Sequence, residues 1–285
     1  SLEFDNDRAL IRVDFNVPIS EGKVTDDFRI QAALSSIKYC INHGASVVLM
    51  SHLGRPGGVP SENLSLMPVG EALCDHLEMS IKFSHDCVSD DAIDVSHELQ
   101  AGEVHLLENL RFHAGETNND HNFASRLAQH GTCFINDGFG TAHRAHASNV
   151  GVTDFLQNCT PGFLMAEEFK FLHSAVIRPK RPFTIVLGGA KIGTKLPLLT
   201  RFIREADNVF IGGGMAFTFL KIVGYKIGKS IYDDSLLQTA KQIVKMSRSV
   251  NCEFQLPSDI IVTENISSGQ DSAVRKVSEI DNNEI

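Results

Sequence analysis

The stretch CFINDGFGTAHRAH, residues 133–146, joins a short apolar run to a turn dense in polar and basic side chains. The apolar residues predict a buried strand, and the glycines after them predict a tight turn at its end. A simple connection does not need Asp137, His143, Arg144 and His146 so close together. The stretch therefore raises the question of whether this strand ends in a functional site.

The same order of apolar run, turn and polar residues recurs along the chain. It is present in LIRVDFN (10–16), ASVVLMSHLGRPGG (45–58), EVHLLENLRFH (103–113), FTIVLGGAK (183–191), NVFIGGGMAF (208–217) and CEFQLPSDIIV (252–262). Most of the segments between these runs have helical spacing, as in FRIQAALSSIKYCINHG (28–44). Strands that alternate with helices predict an α/β fold whose parallel sheets are covered on both faces.

One segment differs from the others and suggests a boundary. TPGFLMAEEFKFLHSAVIRPKRP (160–182) predicts a single helix that opens after Pro-Gly and stops at two prolines. It lies near a change in charge, because residues 1–158 carry 10 Lys and Arg against 22 Asp and Glu, whereas the remainder carries 16 against 13. We predict an N-terminal domain (1–158), a hinge helix with linker (159–182) and a second domain (183–285) of about three strands.

Composition excludes several classes of function. The net charge of −9 argues against general binding of nucleic acid, which favours a basic face. No run approaches the roughly 18 apolar residues of a membrane span, and SLEFDNDRAL lacks the basic start of a signal peptide. The six cysteines include no Cys-x-x-Cys pair, which indicates reduced thiols. We therefore expect a cytoplasmic protein that contacts neither nucleic acid nor membranes.

Basic side chains gather at the predicted carboxyl edge of the first sheet. Ligands of open parallel sheets bind beyond the carboxyl ends of the strands, so polar groups there are expected to share a site. Four strand ends and the first helix supply Asp14, Asn16, Arg29, His52, Arg55, Arg111, His143 and Arg144. Arginine forks match phosphate and carboxylate oxygens, which predicts a site for a small, multiply charged anion. The alternative is that these arginines are surface residues paired with local acids.

Two details of this predicted site stay open at the level of sequence. Asp14 would either fix a substrate hydroxyl or an arginine, or serve as a base. His143 and His146 are three residues apart, but no third and fourth ligand follow at zinc-binding spacing. We therefore assign no metal ligands.

Two glycine turns characterise the second half. VLGGAKIGTK (186–195) predicts a strand, a glycine turn and a helix start at which Lys191 and Lys195 share one face. FIGGGMAF (210–217) repeats the strand and the turn. Neither matches a Walker or dinucleotide fingerprint. Together they predict a shelf for nucleotide phosphates; the alternative is that the glycines only pack helices against strands.

Six motifs together resemble the phosphoglycerate kinase family. They are RVDFNVP (12–18), SHLGRP (51–56), ENLRFH (108–113), INDGFGTAHRAH (135–146), LGGAKIGTK (187–195) and IGGGMAFTFLK (211–221). The resemblance implies two Rossmann-like domains joined by a hinge helix that closes the cleft. The first domain would hold 3-phosphoglycerate or 1,3-bisphosphoglycerate, and the second the adenine nucleotide as Mg-ATP or Mg-ADP. It also implies a monomeric glycolytic enzyme that transfers a phosphoryl group reversibly between the nucleotide and the substrate carboxylate.

The resemblance also implies roles for individual residues. The substrate contacts would be Asp14, Phe15, Asn16, Arg29, His52, Leu53, Gly54, Arg55, Arg111 and Arg144. The nucleotide contacts would be Gly189, Ala190, Lys191, Lys195, Gly213 and Gly214. Arg29 and Lys195, supported by Lys191, would stabilise the charge that spreads over the transferring phosphoryl group.

The chain departs from the family pattern near its last residues. The family's Gly-Pro-x-Gly-x-Phe-Glu and Gly-Gly-Asp-Thr motifs do not occur in these 285 residues. We therefore expect an incomplete second domain and little or no turnover from these residues alone. The alternative to a kinase fragment is a non-catalytic binder of phosphoglycerate-like anions.

Overall fold

The computed structural model describes residues 7–190, 192–266 and 272–285. The chain divides into two compact units, Ser1–His173 and Ser174–Ile285. Each unit contains a parallel sheet with helices, so the predicted α/β class is confirmed. In the described part of the chain, no helix has both the length and the apolar character to cross a membrane.

The first unit is built on a six-stranded parallel sheet. The strands of the whole unit are β1 (Arg8–Arg12), β2 (Ile19–Ser20), β3 (Lys23–Val24), β4 (Ser46–Met50), β5 (Lys82–Ser84), β6 (Val104–Leu107), β7 (Cys133–Asn136) and β8 (Cys159–Pro161). Its helices are α1 (Phe28–Asn42), α2 (Met67–Leu77), α3 (Asp90–His97), α4 (Ala114–Thr117) and α5 (His121–Ala128). A further helix, α6 (Phe163–Ile177), begins in this unit and continues past its last residue, His173. The strand order is β5-β6-β4-β1-β7-β8, and β2 and β3 form a separate hairpin.

The four inner strands of this sheet are the four that the sequence predicts. The two outer strands, β5 and β8, were not predicted. β5 has only three residues, and β8 ends in Pro161, a residue that sheets tolerate at an edge. Thr160 and Pro161 therefore belong to the sheet and not to the predicted helix, which begins at Phe163.

Both faces of the large sheet are covered, which explains the nearly unbroken apolar runs. Ala9 and Ile11 of β1 join one buried cluster, whereas Leu10 joins the cluster on the opposite face. Successive residues of a strand point to opposite faces, so a strand buried on both sides must be apolar throughout. Arg12 is the exception, because it is a fully buried charged residue at the end of β1.

The second unit contains a smaller parallel sheet. Its strands are β9 (Thr184–Leu187), β10 (Asn208–Ile211), β11 (Glu253–Gln255), β12 (Asp259–Val262) and β13 (Ala273–Lys276), and its helices are α7 (Leu196–Phe202), α8 (Met215–Ile222) and α9 (Leu237–Ser249). The parallel order is β11-β10-β9, and β12 pairs with β13 antiparallel. The predicted run 252–262 thus forms two strands. Pro257 lies between them, where its ring cannot donate a ladder hydrogen bond.

Asp137 of the opening stretch supports the start of a helix. Its carboxylate is fully buried, and Oδ1 accepts a 3.0 Å hydrogen bond from the backbone N–H of Met165 in the first turn of α6. The exposed N–H groups and the dipole of a helix start favour a negative charge there. Gly162 leaves room for this contact, because a Cβ at that position would collide with the Asp137 carboxylate. The presence of an aspartate at position 137 is therefore explained by its structural role at the start of α6.

We expect Asp137→Ala to destabilise the protein by about 1–2 kcal/mol, because the first turn of α6 loses its carboxylate partner. Urea unfolding followed by circular dichroism measures this loss. Asp154→Ala, which removes an exposed carboxylate of the same unit, is the matched control. Equal midpoints for the two variants would contradict the capping role.

Two buried histidines, His105 and His130, are linked by the hydroxyl of Ser96. His105 lies 2.7 Å from Ser84 Oγ through Nε2 and 2.8 Å from Ser96 Oγ through Nδ1. Ser96 Oγ also lies 2.6 Å from His130 Nδ1, and His130 Nε2 donates to the carbonyl of Cys87. Both rings satisfy these bonds in the neutral form. Burial is the main cause that lowers the pKa of His105 to about 3 and that of His130 to about 4.

Because His105 and His130 are buried as neutral rings, we expect the folded protein to lose stability in acid. The pKa of each histidine is lower in the folded than in the unfolded chain, so the stabilisation is present above about 6.5 and is lost as the pH falls towards the folded value. From about pH 7 to about pH 5, His105 should account for roughly 2 kcal/mol of lost stability. Urea unfolding of His105→Gln should show a pH dependence that is shallower by this amount. The exposed His85→Gln is the control, and an unchanged slope in His105→Gln would refute the assignment.

Candidate functional site

The polar groups that the sequence predicts as a site follow the four inner strands of the large sheet. Because β6, β4, β1 and β7 are adjacent and parallel, their carboxyl ends lie at one edge. Hydrogen bonds join the loops after them. Asn16 Oδ1 accepts from the N–H of Gly54 at 2.9 Å, and Arg111 Nη1 donates to the Gly54 carbonyl at 2.7 Å. The loops after β1, β4 and β6 are thus held together through Gly54.

Asp14 and Arg29 form an ion pair at this edge. Arg29 Nη1 lies 2.7 Å from Asp14 Oδ2, and the side chains are 49% and 16% exposed. Both line a hollow of about 300 Å³ together with Gly140. A Cβ on Gly140 would lie 2.8 Å from Asp14 Oδ2, so the close approach requires glycine. Of the roles left open for Asp14, this geometry favours that of fixing an arginine.

Arg111 is the most constrained of the predicted cations. Its Nε is buried and has no hydrogen-bond partner among the described residues. Burial first, and then the charges of Arg144 and Arg55, lower the pKa of Arg111. Arg55 and Arg144 are exposed, and neither forms an ion pair with a described residue. The positive charges of Arg55 and Arg144, from the loops after β4 and β7, thus act on Arg111 from the loop after β6, which is an arrangement that an anion would stabilise.

His52 is a buried residue among the polar residues predicted at this edge. Its Nδ1 lies 3.1 Å from Arg12 Nη2. Burial first, followed by the charges of Arg12 and Arg111, lowers the pKa of His52 to about 2. The imidazole is therefore neutral under physiological conditions.

Some predicted residues do not reach this edge with their side chains. Phe15 and Leu53 lie in the hydrophobic core. The backbone N–H and carbonyl of Leu53 are both bonded to Asn109, and the N–H of Phe15 donates to Ser51 Oγ. These two residues hold the loops that carry Asn16, His52 and Gly54.

Sequence reasoning missed the polar groups beneath the site. Arg12 and Glu116 are fully buried and are connected by Ser148, whose Oγ accepts from Arg12 Nε at 2.9 Å and donates to Glu116 Oε1 at 2.7 Å. His146 Nδ1 lies 3.6 Å from the same Glu116 oxygen. One feature could have marked Arg12 as a buried polar residue, because it ends an apolar strand that is buried on both faces. Glu116 gave no such signal, because it lies in a polar stretch.

In the second unit, the two predicted glycine turns pack directly on each other. The N–H of Met215 donates to the carbonyl of Gly189 at 2.8 Å. Gly189 and Gly213 have φ angles of +126° and +60°, and a Cβ on Gly213 would lie 2.8 Å from the Gly189 nitrogen. Lys195 donates its Nζ proton to the carbonyl of Gly188. Lys191 lies outside the described residues.

A cavity of about 540 Å³ opens beside these turns. This volume lies within the range of roughly 300–1,000 Å³ that small-molecule and cofactor sites occupy. The predicted residues Ala190 and Gly214 line it, together with Ile231, Tyr232 and Asp233, which the sequence analysis did not select. Gly189, Gly213 and Lys195 lie next to this wall and not in it.

The described residues of the second unit do not build a metal centre by themselves. They contain no group of three His, Cys, Asp or Glu side chains at ligand distance from one another. Asp233, on the cavity wall, already accepts hydrogen bonds from the N–H and hydroxyl of Ser235. Magnesium binds few protein carboxylates and keeps water and phosphate ligands.

Comparisons with known proteins agree with these two units. The family model of phosphoglycerate kinase matches residues 1–285. A phosphoglycerate kinase of Chloroherpeton thalassium is 42% identical over 280 residues, which cover 98% of this chain and 70% of that protein. One of Chlorobium chlorochromatii is 44% identical, with 97% and 70% covered. The structure of phosphoglycerate kinase from Coxiella burnetii superposes with a TM-score of 0.83 at 36% identity, and covers 99% of this chain and 71% of that one.

The chain thus spans about 70% of the length of these relatives and matches them over nearly all of its own. This match shows both the fold and the enzyme class, since the motifs quoted above fall within the matched region. The chain belongs to the phosphoglycerate kinase family of phosphotransferases, whose acceptor is a carboxyl group.

Proposed function

We propose that the first unit binds 3-phosphoglycerate or 1,3-bisphosphoglycerate at the edge formed by β6, β4, β1 and β7. The main support is Arg111, whose buried Nε has no partner among the described residues and whose neighbours Arg55 and Arg144 carry the same charge. An unpaired buried donor costs about 1–3 kcal/mol. A small acid with a phosphate and a carboxylate would supply acceptors for all three guanidinium groups.

The reaction that we propose is reversible phosphoryl transfer between this acid and an adenine nucleotide, as in glycolysis. Phosphoryl transfer depends on positioning and on charge stabilisation. Arg29 is the cation of the first unit that is suited to this task, because its guanidinium is half exposed and Asp14 fixes its direction. Asp14 itself acts by positioning Arg29.

We propose that the second unit binds the nucleotide as Mg-ATP or Mg-ADP. The cavity beside the glycine turns supports this assignment, since it offers a backbone that can approach phosphates and an apolar wall at Ile231. Lys195 is the proposed phosphate-binding cation, with Lys191 in support. The residues Gly189, Ala190, Gly213 and Gly214 form the proposed shelf.

The location and assembly of the protein are also proposals. The acidic charge and the absence of a membrane-spanning helix among the described residues fit a cytoplasmic enzyme. We propose that it acts as a monomer, because the residues of the proposed phosphoglycerate site all come from one unit of one chain.

We expect Arg29→Ala and Arg144→Ala each to weaken binding of 3-phosphoglycerate at least about tenfold, because each removes a charge-assisted hydrogen bond. Isothermal titration calorimetry measures the affinity. Arg126→Ala is the matched control, since this arginine of the same unit pairs with Asp90 and bonds the carbonyl of Val88. Unchanged affinity in both site variants would remove the proposed anion site.

The second candidate is a non-catalytic binder of phosphoglycerate-like anions, which the absence of a Gly-Gly-Asp-Thr motif from these 285 residues favours. We expect residues 1–285, produced alone, to bind 3-phosphoglycerate weakly and to turn over little. A coupled assay of ADP formation, run beside calorimetry on the same sample, separates the two candidates. Turnover at the rate of a complete kinase would refute this expectation.

A further inference from the structure

We infer that buried Arg12 fixes His52 as a neutral imidazole with its proton on Nε2, so that His52 offers the anion site an uncharged N–H donor. The inference deepens the proposed function, on which it rests for the identity of the anion. It concerns a residue that sequence reasoning did not select, and it specifies the form in which His52 would meet the ligand.

The first step is the polarity of the bond between Arg12 and His52. Arg12 Nη2 lies 3.1 Å from His52 Nδ1. A guanidinium carries only donors, so the ring nitrogen that faces it must accept. A neutral imidazole that accepts through Nδ1 carries its proton on Nε2. The imidazolium form would turn the contact into two donors that repel each other.

The second step is that Arg12 cannot turn away. It is fully buried, and it also donates through Nε to Ser148 Oγ at 2.9 Å and through Nη1 to the carbonyl of Val13. The Ser148 hydroxyl in turn donates to Glu116 Oε1 at 2.7 Å, and Glu116 Oε2 accepts from the Ser148 N–H at 3.0 Å. The buried carboxylate balances the buried guanidinium, and the shared serine sets its orientation.

The third step is the charge around the ring. The titratable groups that act on His52 are Arg12, Arg111, His146 and Arg29, and each of them disfavours a positive charge on it. Burial acts in the same direction and is the largest cause of its lowered pKa. A cationic His52 would add one more positive charge to an edge that is already crowded with guanidinium groups.

The remaining ring nitrogen is available to a ligand. His52 Nε2 takes part in no hydrogen bond within the described part of the chain, whereas Nδ1 is occupied by Arg12. A neutral N–H can donate to a carboxylate or phosphate oxygen without the Coulombic cost of another cation. The contribution of His52 to anion binding is then constant across neutral pH.

The test is a long-range ¹H–¹⁵N correlation spectrum of the 285-residue chain labelled with ¹⁵N-histidine and free of ligand. His52→Gln identifies the signal by its loss. We expect Nδ1 to be unprotonated and Nε2 to be protonated, with no change between about pH 5 and about pH 8. A proton on Nδ1, or a transition near the ordinary histidine pKa, would overturn the inference even if 3-phosphoglycerate binds.

A variant tests the part played by Arg12. Arg12→Met/Glu116→Gln removes both buried charges together, so no unpaired charge remains in the core. We expect His52 in this variant to populate both neutral tautomers, because Nδ1 no longer faces a fixed donor, and the affinity for 3-phosphoglycerate to fall about tenfold. Arg8→Met is the matched control on the same strand, because that guanidinium bonds the carbonyl of His130. A folded double variant with the Nε2–H tautomer unchanged would show that Arg12 does not set it.

Adding 3-phosphoglycerate separates this inference from the proposed function. We expect the Nε2–H signal of His52 to shift on binding while the tautomer stays the same. A spectrum that reports imidazolium in the bound state would overturn the inference. The expected tautomer without any binding would leave the inference about Arg12 intact and refute the proposed anion.

Discussion

A guanidinium buried at the end of the central strand is the constraint on which the first unit depends. Arg12 closes β1, the strand that lies between β4 and β7, and it bonds His52 from the loop after β4 and Ser148 from the segment after β7. Glu116, which follows β6, supplies the opposite charge through Ser148. Two buried opposite charges, bridged by the Ser148 hydroxyl, thus connect segments that follow the four inner strands. Removing either partner would leave an unpaired charge in the core, which is far more costly than losing a surface pair.

The engagement of Glu116 with buried Arg12 also helps to explain why the carboxyl edge of the large sheet can remain positively charged. The first 158 residues carry a net charge of −12, yet three acids that follow β1, β6 and β7 are already engaged. Asp14 pairs with Arg29, Glu116 balances Arg12, and Asp137 holds the start of α6. The positive charges of Arg55, Arg111 and Arg144 are therefore not neutralised locally. An acidic domain can keep this edge cationic because these three carboxylates already have partners elsewhere.

The four inner strands and their basic ends could be predicted, because burial on both faces leaves a visible apolar run and the parallel arrangement brings the ends together. β5 and β8 could not, since a three-residue edge strand has too few residues to show a pattern. Phe15 and Leu53 illustrate a further limit. They lie within the motifs, but their side chains pack in the core and their loops are held by Ser51 and Asn109. Membership of a motif does not say whether a residue contacts a ligand or supports its neighbour.

By itself, the sequence determined the α/β class, the two glycine turns and the family, since each depends on residue types at short spacing. The tertiary structure decided which charges are buried and what they pair with. It assigned Asp137, whose role the sequence had left as a question, to the start of α6, and it selected Arg12 and Glu116, which no motif had marked as functional. The reason is that the protonation and the role of a polar group depend on its desolvation and on partners distant in sequence, such as Ser148 for Arg12. Local spacing cannot report either of these.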